Sequence, residues 1–508
     1  MRSGRHLGHS QWAQTPVGRG FDEHIGSYMW DLDSYTKQQF ELPWEPLVVD
    51  WIHAHSNGSY EHYAESRHST EAITQNAINT IIRHSQQSEP SQPLFLYVAY
   101  TACHSPLQAM PEHQVHCQHI PHLWRRQFCG MIRGLDEGIQ NISDAIDTYL
   151  GENTLLYLSS DNGGSTWFGG LNTPLRGGKS TPYEGGVRVP AFIVDYTSNQ
   201  RYIGAPDSAP SSREYHGLMH SSDILPTMLG FAGVSEDYLK TEVKGLDGYD
   251  FGPYFRTFTQ ESPRSEVLLE LYNKGECIFQ NESMHSYLIG DMKLIEGIVR
   301  DPHHHYESHV DWMNSTDPTF VTSRAQIVIR FLEWIFGQGP FDNSRIVLTH
   351  SLYHTKILQP QIDGLEPTVR LYNLTADPEE RDNIADRNPL IVKEIQQKIQ
   401  RIIEKRPYQQ PYWMQYHLAK EWPQTFQSGD CSMNSKLPST SCRFTHPWIP
   451  DDVNPWKDLD HLTDGLAYAK DKLNRVKRVV FFIFIGLVLL VGMALSRSRQ
   501  NLMKQKRN

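Results

Sequence analysis

The sequence predicts an α/β fold, with a mostly parallel sheet flanked by helices and a smaller α+β unit towards the C-terminus. Two continuous apolar runs, at residues 94–100 and 154–159, are typical of strands buried on both faces of a parallel sheet. Between them, residues 125–150 carry apolar side chains at helical spacing, which predicts a crossover helix. A chain of 508 residues is also long enough to divide into two or more units.

The remaining elements follow from shorter patterns. A second amphipathic helix is predicted at residues 72–84 and a further short strand at 189–195. Beyond residue 255 the pattern favours antiparallel strands and a closing helix, at residues 265–271, 286–290, 293–297 and 389–405. The predicted organisation is a first unit (1–255), a second unit (256–410), a Pro/Trp-rich extension and stalk (411–478), a transmembrane helix (479–495) and a basic cytosolic tail (496–508).

Residues 479–495 are apolar or small and carry no charge, which predicts a single-pass anchor at the short end of the spanning range. Basic residues flank both ends, so the bias of Lys and Arg decides little about orientation. Five Asn-x-Ser/Thr sites indicate that the preceding chain is lumenal or extracellular, in the secretory pathway, the lysosome or at the cell surface. These predicted glycosylation sites are Asn57, Asn141, Asn281, Asn314 and Asn373.

Charge and cysteine content narrow the class of protein. A net charge of −11 argues against a nucleic-acid partner, which requires a basic face. Six cysteines fit an oxidising compartment, and among the many possible pairings Cys431 with Cys442 is favoured because they bracket a short loop. The cluster His303-His304-His305 is interpreted as a solvated loop rather than a metal site.

The candidate site begins at Ser160-Asp161-Asn162-Gly163-Gly164, directly after an apolar run. In open α/β sheets ligands bind beyond the carboxyl ends of the strands. The oxygens of Asp161 and Asn162 are hard donors of the kind that bind Ca²⁺ or Mg²⁺. Lys179, on the Gly-rich loop that follows, could neutralise an oxyanion held by that metal.

Three collinear motifs carry a family resemblance. They are residues 160–164, Pro-Leu-Arg-Gly-Gly-Lys at 174–179 and Glu-Gly-Gly-Val-Arg at 184–188. Together they resemble the signature of the sulfatases, closest to the arylsulfatase B group, within the alkaline-phosphatase-like superfamily. The Arg-Gly-Phe-Asp segment at 19–22 and the His-Ser-Pro-Leu-Gln segment at 104–108 resemble further family motifs.

The resemblance implies a metal-dependent sulfuric ester hydrolase that acts on a sulfated carbohydrate or an aryl sulfate. It implies that Asp161 and Asn162 bind Ca²⁺, and that Lys179 contacts a sulfate oxygen. By the same resemblance His104 donates a proton to the leaving group, and His6 lies beside the nucleophile. Other charged residues of the motifs, Arg176, Glu184 and Arg188, are interpreted as ion pairs that brace the loops.

The sequence departs from the family pattern at the nucleophile. The family carries a Cys-x-Pro/Ala-x-Arg motif whose Cys becomes formylglycine, and a first strand with paired metal-binding aspartates; neither occurs in these 508 residues. No apolar segment of a signal peptide follows Met1, so the sequence is expected to lack its start, and the chain as given to be inactive. Three interpretations follow: a sulfatase, a membrane-anchored pseudoenzyme that binds sulfated glycans, and a phosphate- or phosphonate-ester hydrolase of the same superfold.

Overall fold

The computed structural model describes residues 12–28, 32–37, 48–62, 65–87, 92–120, 123–165, 168–197, 202–204, 214–243, 245–257, 259–272, 283–297, 299, 368–405, 426–428 and 443–445. Its strands are β1 (Glu23–Gly26), β2 (Val48–Val49), β3 (Ile52–His55), β4 (Tyr60–His62), β5 (Leu155–Ser159), β6 (Ala191–Asp195), β7 (Glu266–Tyr272), β8 (Met284–Ile289), β9 (Met292–Gly297), β10 (Val369–Asn373), β11 (Phe426–Ser428) and β12 (Arg443–Thr445). Its helices are α1 (Ser69–Ser85), α2 (Pro111–Gln114), α3 (Leu123–Tyr149), α4 (Glu184–Val187), α5 (Ile224–Phe231), α6 (Glu236–Glu242), α7 (Gly252–Thr257) and α8 (Pro389–Lys405).

Helices α1 and α3 confirm both helix predictions of the first unit and pack against each other. Ala77 and Ile81 of α1 form one buried cluster with Ile142 and Ile146 of α3. The helices approach closely at Gly138, where an added Cβ would lie 2.5 Å from the hydroxyl oxygen of Thr74. This helical layer therefore comes from apolar side chains that recur on one face of each helix.

Strand β5 forms where it was predicted, but its pairing is antiparallel. It pairs with β6 in a register that runs from Leu155 opposite Asp195 to Ser159 opposite Ala191. The chain returns from β5 through the loop at 160–190 and not through a crossover helix, so its direction reverses. The predicted mostly parallel sheet is wrong for the described residues, in which β12 with β2 is the one parallel pair.

Residues 94–100 do not form the predicted buried strand, and only Tyr97 makes an isolated bridge. Leu94, Leu96 and Val98 pack against the α1–α3 cluster. The alternate side chains Phe95 and Tyr97 are 63% and 46% exposed. The segment is therefore extended, with one face packed on the helices and the other exposed to solvent. It is not a sheet strand buried on both faces.

Residues 256–410 contain the predicted antiparallel strands and helix. Strands β7 to β10 form a four-stranded sheet in the order β10-β9-β8-β7, with every pair antiparallel. Helix α8 packs on it through Ile395 and Ile399, which share a buried cluster with Tyr287, Leu294 and Leu371. Burying alternate strand residues under one helix is the usual way in which an antiparallel sheet gains stability.

A three-stranded antiparallel sheet, in the order β1-β3-β4, lies near the start of the described chain. Ile52 and Ala54 of β3 face a buried cluster that also contains Val17 and Tyr28. Because side chains alternate along a strand, His53 and His55 lie on the opposite face.

The described disulfide joins Cys117 to Cys129, with a Cα–Cα distance of 6.1 Å. The favoured pair of Cys431 and Cys442 lies outside the described residues. In the described ranges no helix combines the length and apolarity needed to cross a bilayer. The predicted anchor at 479–495 lies beyond those ranges and stays a prediction. All described elements belong to one compact unit, residues 1–409 with 426–448.

Candidate active site

The loop after β5 begins at Ser160, and its next two residues, Asp161 and Asn162, are the predicted metal ligands. Asp161 is exposed, and its Oδ1 accepts a hydrogen bond from the backbone N–H of Asn162 at 2.9 Å. The Asn162 side chain donates from Nδ2 to the carbonyl oxygen of Gly163 at 2.9 Å. That bond assigns the amide nitrogen to the loop and leaves Oδ1 as the oxygen that the Asn162 side chain presents.

Two glycines let this loop interlock with the loop that carries Lys179. The N–H of Gly163 donates to the carbonyl oxygen of Gly186 at 2.9 Å. The N–H of Lys179 donates to the carbonyl oxygen of Gly164 at 3.3 Å. A Cβ on Gly163 would lie 1.7 Å from the carbonyl oxygen of Gly185, so only glycine fits there. The structure thus places the Lys179 backbone beside the loop of Asp161 and Asn162.

Asn172 joins the same two loops with one side chain. Its Oδ1 accepts from the N–H of Gly164 at 2.8 Å, and its Nδ2 donates to the carbonyl oxygens of Gly164 at 2.9 Å and Gly177 at 3.0 Å. No sequence motif predicted Asn172, because a single Asn between motifs carries no signal of its own. Its three hydrogen bonds fix the spacing between the turn after β5 and the turn before Lys179.

The Lys179 loop is anchored to the second sheet through buried charges. Glu184 lies at the start of α4, and its carboxylate accepts from the Nζ of Lys293 on β9 at 2.9 Å. Lys293 also pairs with Glu380 at 2.9 Å, and Glu380 accepts from the N–H of Glu184 at 2.6 Å. Burial is the largest influence on the pKa of Glu380 and raises it.

Arg176 supports the same loop from its other end. Its guanidinium lies 4.2 Å from the ring centroid of Tyr183, and Nη1 donates to the carbonyl oxygen of Glu380 at 3.1 Å. These contacts agree with the interpretation that Arg176 and Glu184 brace the loop. Arg188 is exposed at the C-terminal end of α4.

His104 lies on the segment that precedes α2, and the N–H of Ala109 on that segment donates to the Oε1 of Gln127, near the start of α3, at 3.0 Å. The Nδ1 of His104 donates to the carbonyl oxygen of Ser105 at 2.7 Å, so Nε2 is the acceptor nitrogen of the neutral ring and carries a proton only in the imidazolium form. Its neighbour Cys103 interacts electrostatically with Arg125, and Arg125 donates to the carbonyl oxygen of Gly169 at 3.0 Å. Gly169 precedes Gly170, whose Cα lies 3.1 Å from the Cβ position of Gly164. These contacts connect the His104 loop to the loop of Asp161.

The donor set after β5 fits a hard divalent cation. Asp161 offers a carboxylate oxygen besides the one used by Asn162, and Asn162 presents its amide oxygen. Ca²⁺ takes six to eight oxygen ligands, so these two residues supply part of a shell. His6, predicted to lie beside the nucleophile, is outside the described residues.

The residues present do not fit formylglycine. Cys117 and Cys129 are bonded to each other, and Cys103 is followed by His-Ser-Pro. The other three cysteines lie outside the described part of the chain, and none is followed by the x-Pro/Ala-x-Arg of the motif. No step of the chemistry below is therefore assigned to that group.

Of the predicted glycosylation sites, Asn57 and Asn141 are exposed, in the turn after β3 and on α3. Asn373 is half-buried at the end of β10, where its Oδ1 accepts from the N–H groups of Thr375 and Ala376, both at 3.1 Å. Asn281 and Asn314 lie outside the described residues. Glycosylation at all five stays a prediction.

Comparison with known proteins first confirms the class. Residues 4–234 match the family model described as Sulfatase. The fold is similar to the crystal structure of Ps i-CgsB, with a TM-score of 0.52, 20% identity and coverage of 79% of this chain and 70% of that chain. At that identity the match shows similarity of fold alone.

Two of the relatives with similar sequences are named as sulfatases. The chain is 29% identical to mouse arylsulfatase J over 409 residues, which cover 78% of this chain and 58% of arylsulfatase J. It is 28% identical to dog N-acetylgalactosamine-6-sulfatase over 391 residues, covering 75% and 67% of the two chains. The chain is thus similar to sulfatases over most of its length, and it spans about three fifths of the length of arylsulfatase J.

Proposed function

We propose that this protein is a sulfuric ester hydrolase of the arylsulfatase B type, which acts on sulfated sugars. The observation that carries the proposal is the interlock of the Gly163-Gly164 turn with the Lys179 loop. It brings the backbone of Lys179 beside the loop that carries Asp161 and Asn162. A related protein is named for N-acetylgalactosamine-6-sulfate, which supports a sulfated amino sugar as the substrate class.

Each side chain has a role that its chemistry allows. Asp161 and Asn162 would hold Ca²⁺, which supplies positive charge to a sulfate oxygen when bound. Lys179 would donate to a second sulfate oxygen and neutralise charge that grows on it. His104 would give a proton from Nε2 of its protonated ring to the leaving sugar oxygen, because its Nδ1–H is already committed to a backbone carbonyl. His6 would assist departure of sulfate.

The test measures binding of sulfated sugars and turnover of an aryl sulfate in separate experiments. The purified chain is titrated with 4-sulfated and 6-sulfated N-acetylgalactosamine by calorimetry, and is assayed with a chromogenic aryl sulfate. A hydrogen bond to a charged group contributes about 1.5–3 kcal/mol, so Lys179→Ala should weaken binding roughly 10- to 100-fold. Lys240→Ala is the matched control, since Lys240 is exposed and pairs with Glu236 on α6. Equal affinity of the wild type and Lys179→Ala would refute the proposed site.

Turnover is expected to be unmeasurable for these 508 residues, because no cysteine in them has the motif of the family nucleophile. That observation favours a second candidate, a membrane-anchored pseudoenzyme that binds sulfated glycans without hydrolysis. Reading the transcript upstream of the Met1 codon discriminates the two. A Cys-x-Pro-Ser-Arg motif there favours the enzyme, and a verified start at Met1 favours the binding protein.

The membrane topology is a further part of the proposal. Residues 479–495 would anchor the protein, with the sulfatase domain lumenal or extracellular. The exposed Asn57 and Asn141 make this testable, because a glycosidase should shift the electrophoretic mobility of the expressed protein only if those sites faced the lumen. Loss of part of that shift in Asn57→Gln would support the orientation, and no shift at all would contradict it.

A further inference from the structure

A second cluster of metal-ligating side chains lies on the β1-β3-β4 sheet, formed by residues other than those proposed for the sulfatase site. Glu23 is directly opposite His55 in the β1–β3 register, and His53 lies two residues before His55 on the same face. One ligand atom from each of the three side chains lies within 4.8 Å of the others. We propose that Glu23, His53 and His55 form a Zn²⁺ site that ties β1 to β3.

The ligand types and their separation suit this ion. Two imidazole nitrogens and one carboxylate oxygen are a frequent zinc ligand set, and hard ions such as Ca²⁺ prefer oxygen alone. Zinc–nitrogen bonds of about 2.0–2.1 Å put two tetrahedral ligands roughly 3.4 Å apart. The Nε2 of His53 is already 2.7 Å from the Oε1 of Glu23. Small rotations of partly exposed side chains bring the third ligand into range.

The surroundings of His53 supply an orienting carboxylate. Its Nδ1 lies 3.4 Å from the Oε1 of Glu61 on β4, so carboxylates face both nitrogens of one ring. A neutral imidazole has one N–H and one acceptor nitrogen, and it can satisfy only one of the two carboxylates. With zinc on Nε2, the Nδ1–H would donate to Glu61, which is the usual carboxylate–histidine–zinc arrangement. The single proton of the neutral ring would then lie on Nδ1 and not on Nε2.

The charge and position of the cluster are compatible with binding from solvent. The side chains of His53 and Glu23 are 20% and 17% exposed, so an ion can enter while water is largely excluded. Arg83 of α1 pairs with the other oxygen of Glu23, Oε2, so Oε1 is the oxygen turned towards His53. Zinc would therefore connect β3 through Glu23 to α1 as well.

The test measures zinc stoichiometry. The chain is stripped with a chelator and dialysed against micromolar Zn²⁺, and bound metal is quantified by mass spectrometry. The double variant His53→Gln, His55→Gln should bind one zinc ion fewer per chain than the wild type. The matched control His116→Gln, His119→Gln changes two exposed histidines and should bind as much as the wild type. Equal stoichiometry in the wild type and the double variant overturns the site.

A second variant guards against a folding defect of the first. Glu23→Gln keeps the size of the side chain and removes one zinc ligand. It should weaken zinc binding at this cluster at least about tenfold, because loss of a group that only supports a ligand already costs about 10- to 100-fold. Zn²⁺ should raise the melting temperature of the wild type, and Ca²⁺ should not do so through this cluster. A zinc-induced rise that persists unchanged in Glu23→Gln, with unaltered affinity, contradicts the assignment.

Discussion

Lowering the pH from 7 to 4 is expected to protonate His68 and to destabilise the fold by about 3 kcal/mol. His68 precedes α1, where its Nδ1 accepts from the N–H of Thr70 at 3.2 Å and caps the helix. Its Nε2 donates to the carbonyl oxygen of Gln108 at 2.8 Å. Both nitrogens are therefore used by the neutral ring, and a proton on Nδ1 would face the N–H of Thr70.

The size of the effect follows from the pKa. Burial lowers the pKa of His68 from 6.5 to about 4. Between these values the unfolded chain binds the proton and the folded chain does not, so the free energy of unfolding falls as the pH falls. The stabilisation is complete above pH 6.5 and is lost towards pH 4. A gap of about 2.5 pH units corresponds to about 3 kcal/mol.

The assay compares denaturant unfolding at several pH values for the wild type and His68→Asn. Asn retains an N-capping oxygen and does not titrate. The variant is expected to be less stable at pH 7, because it loses the bond to Gln108, yet less sensitive to acid. His116→Asn, an exposed histidine, is the control and should follow the wild type.

A difference between wild type and His68→Asn that stays constant from pH 7 to pH 4 would refute the reasoning. It would mean that the folded protein tolerates the charged ring. If the reasoning holds, acid also loosens the segment that carries His104, because Gln108 ends that segment and receives the bond from His68.

Three further predictions concern stability, each measured by denaturant unfolding. Lys293→Met should cost about 3–5 kcal/mol because it leaves two buried carboxylates without their cation, and a loss below 1 kcal/mol would contradict this. Gly163→Ala should displace the loop and lower the free energy of unfolding, since its Cβ would lie 1.7 Å from the carbonyl oxygen of Gly185, whereas Gly151→Ala meets no atom within 4 Å and should cost only the strain of its φ of +61°, about 1–2 kcal/mol. Replacing Cys117 and Cys129 by Ala should cost about 3 kcal/mol of loop entropy, and reduction of the wild type should reproduce that loss.

Patterns that repeat within one element allowed prediction of the helices and of the antiparallel strands. Apolar side chains at helical spacing identified α1, α3 and α8, because a helix satisfies its own backbone. Residues 94–100 show where that reasoning fails. The apolar side chains of this segment pack against helices α1 and α3. A strand requires in addition a hydrogen-bonding partner, which the local sequence does not specify.

The candidate site was predictable only in part, for the same reason. Short motifs located Asp161, Asn162 and Lys179 on loops at the end of β5. The ion pair of Glu184 with Lys293 joins residues 109 positions apart, and no local pattern assigns one charge to the other. The Glu23 cluster is similar: the spacing of His53 and His55 is visible in the sequence, but the register of β1 on β3 brings Glu23 to them.

The buried anchoring of the Lys179 loop has a consequence for biosynthesis. Glu184 and Glu380, joined through a backbone N–H, are 196 residues apart. At about 5–20 residues per second a ribosome needs roughly 10–40 s to make that stretch. During this time the Lys179 loop lacks its contact with Glu380. A nascent chain halted before residue 380 would expose this loop to chaperones and proteases, and the candidate site would form only late in translation.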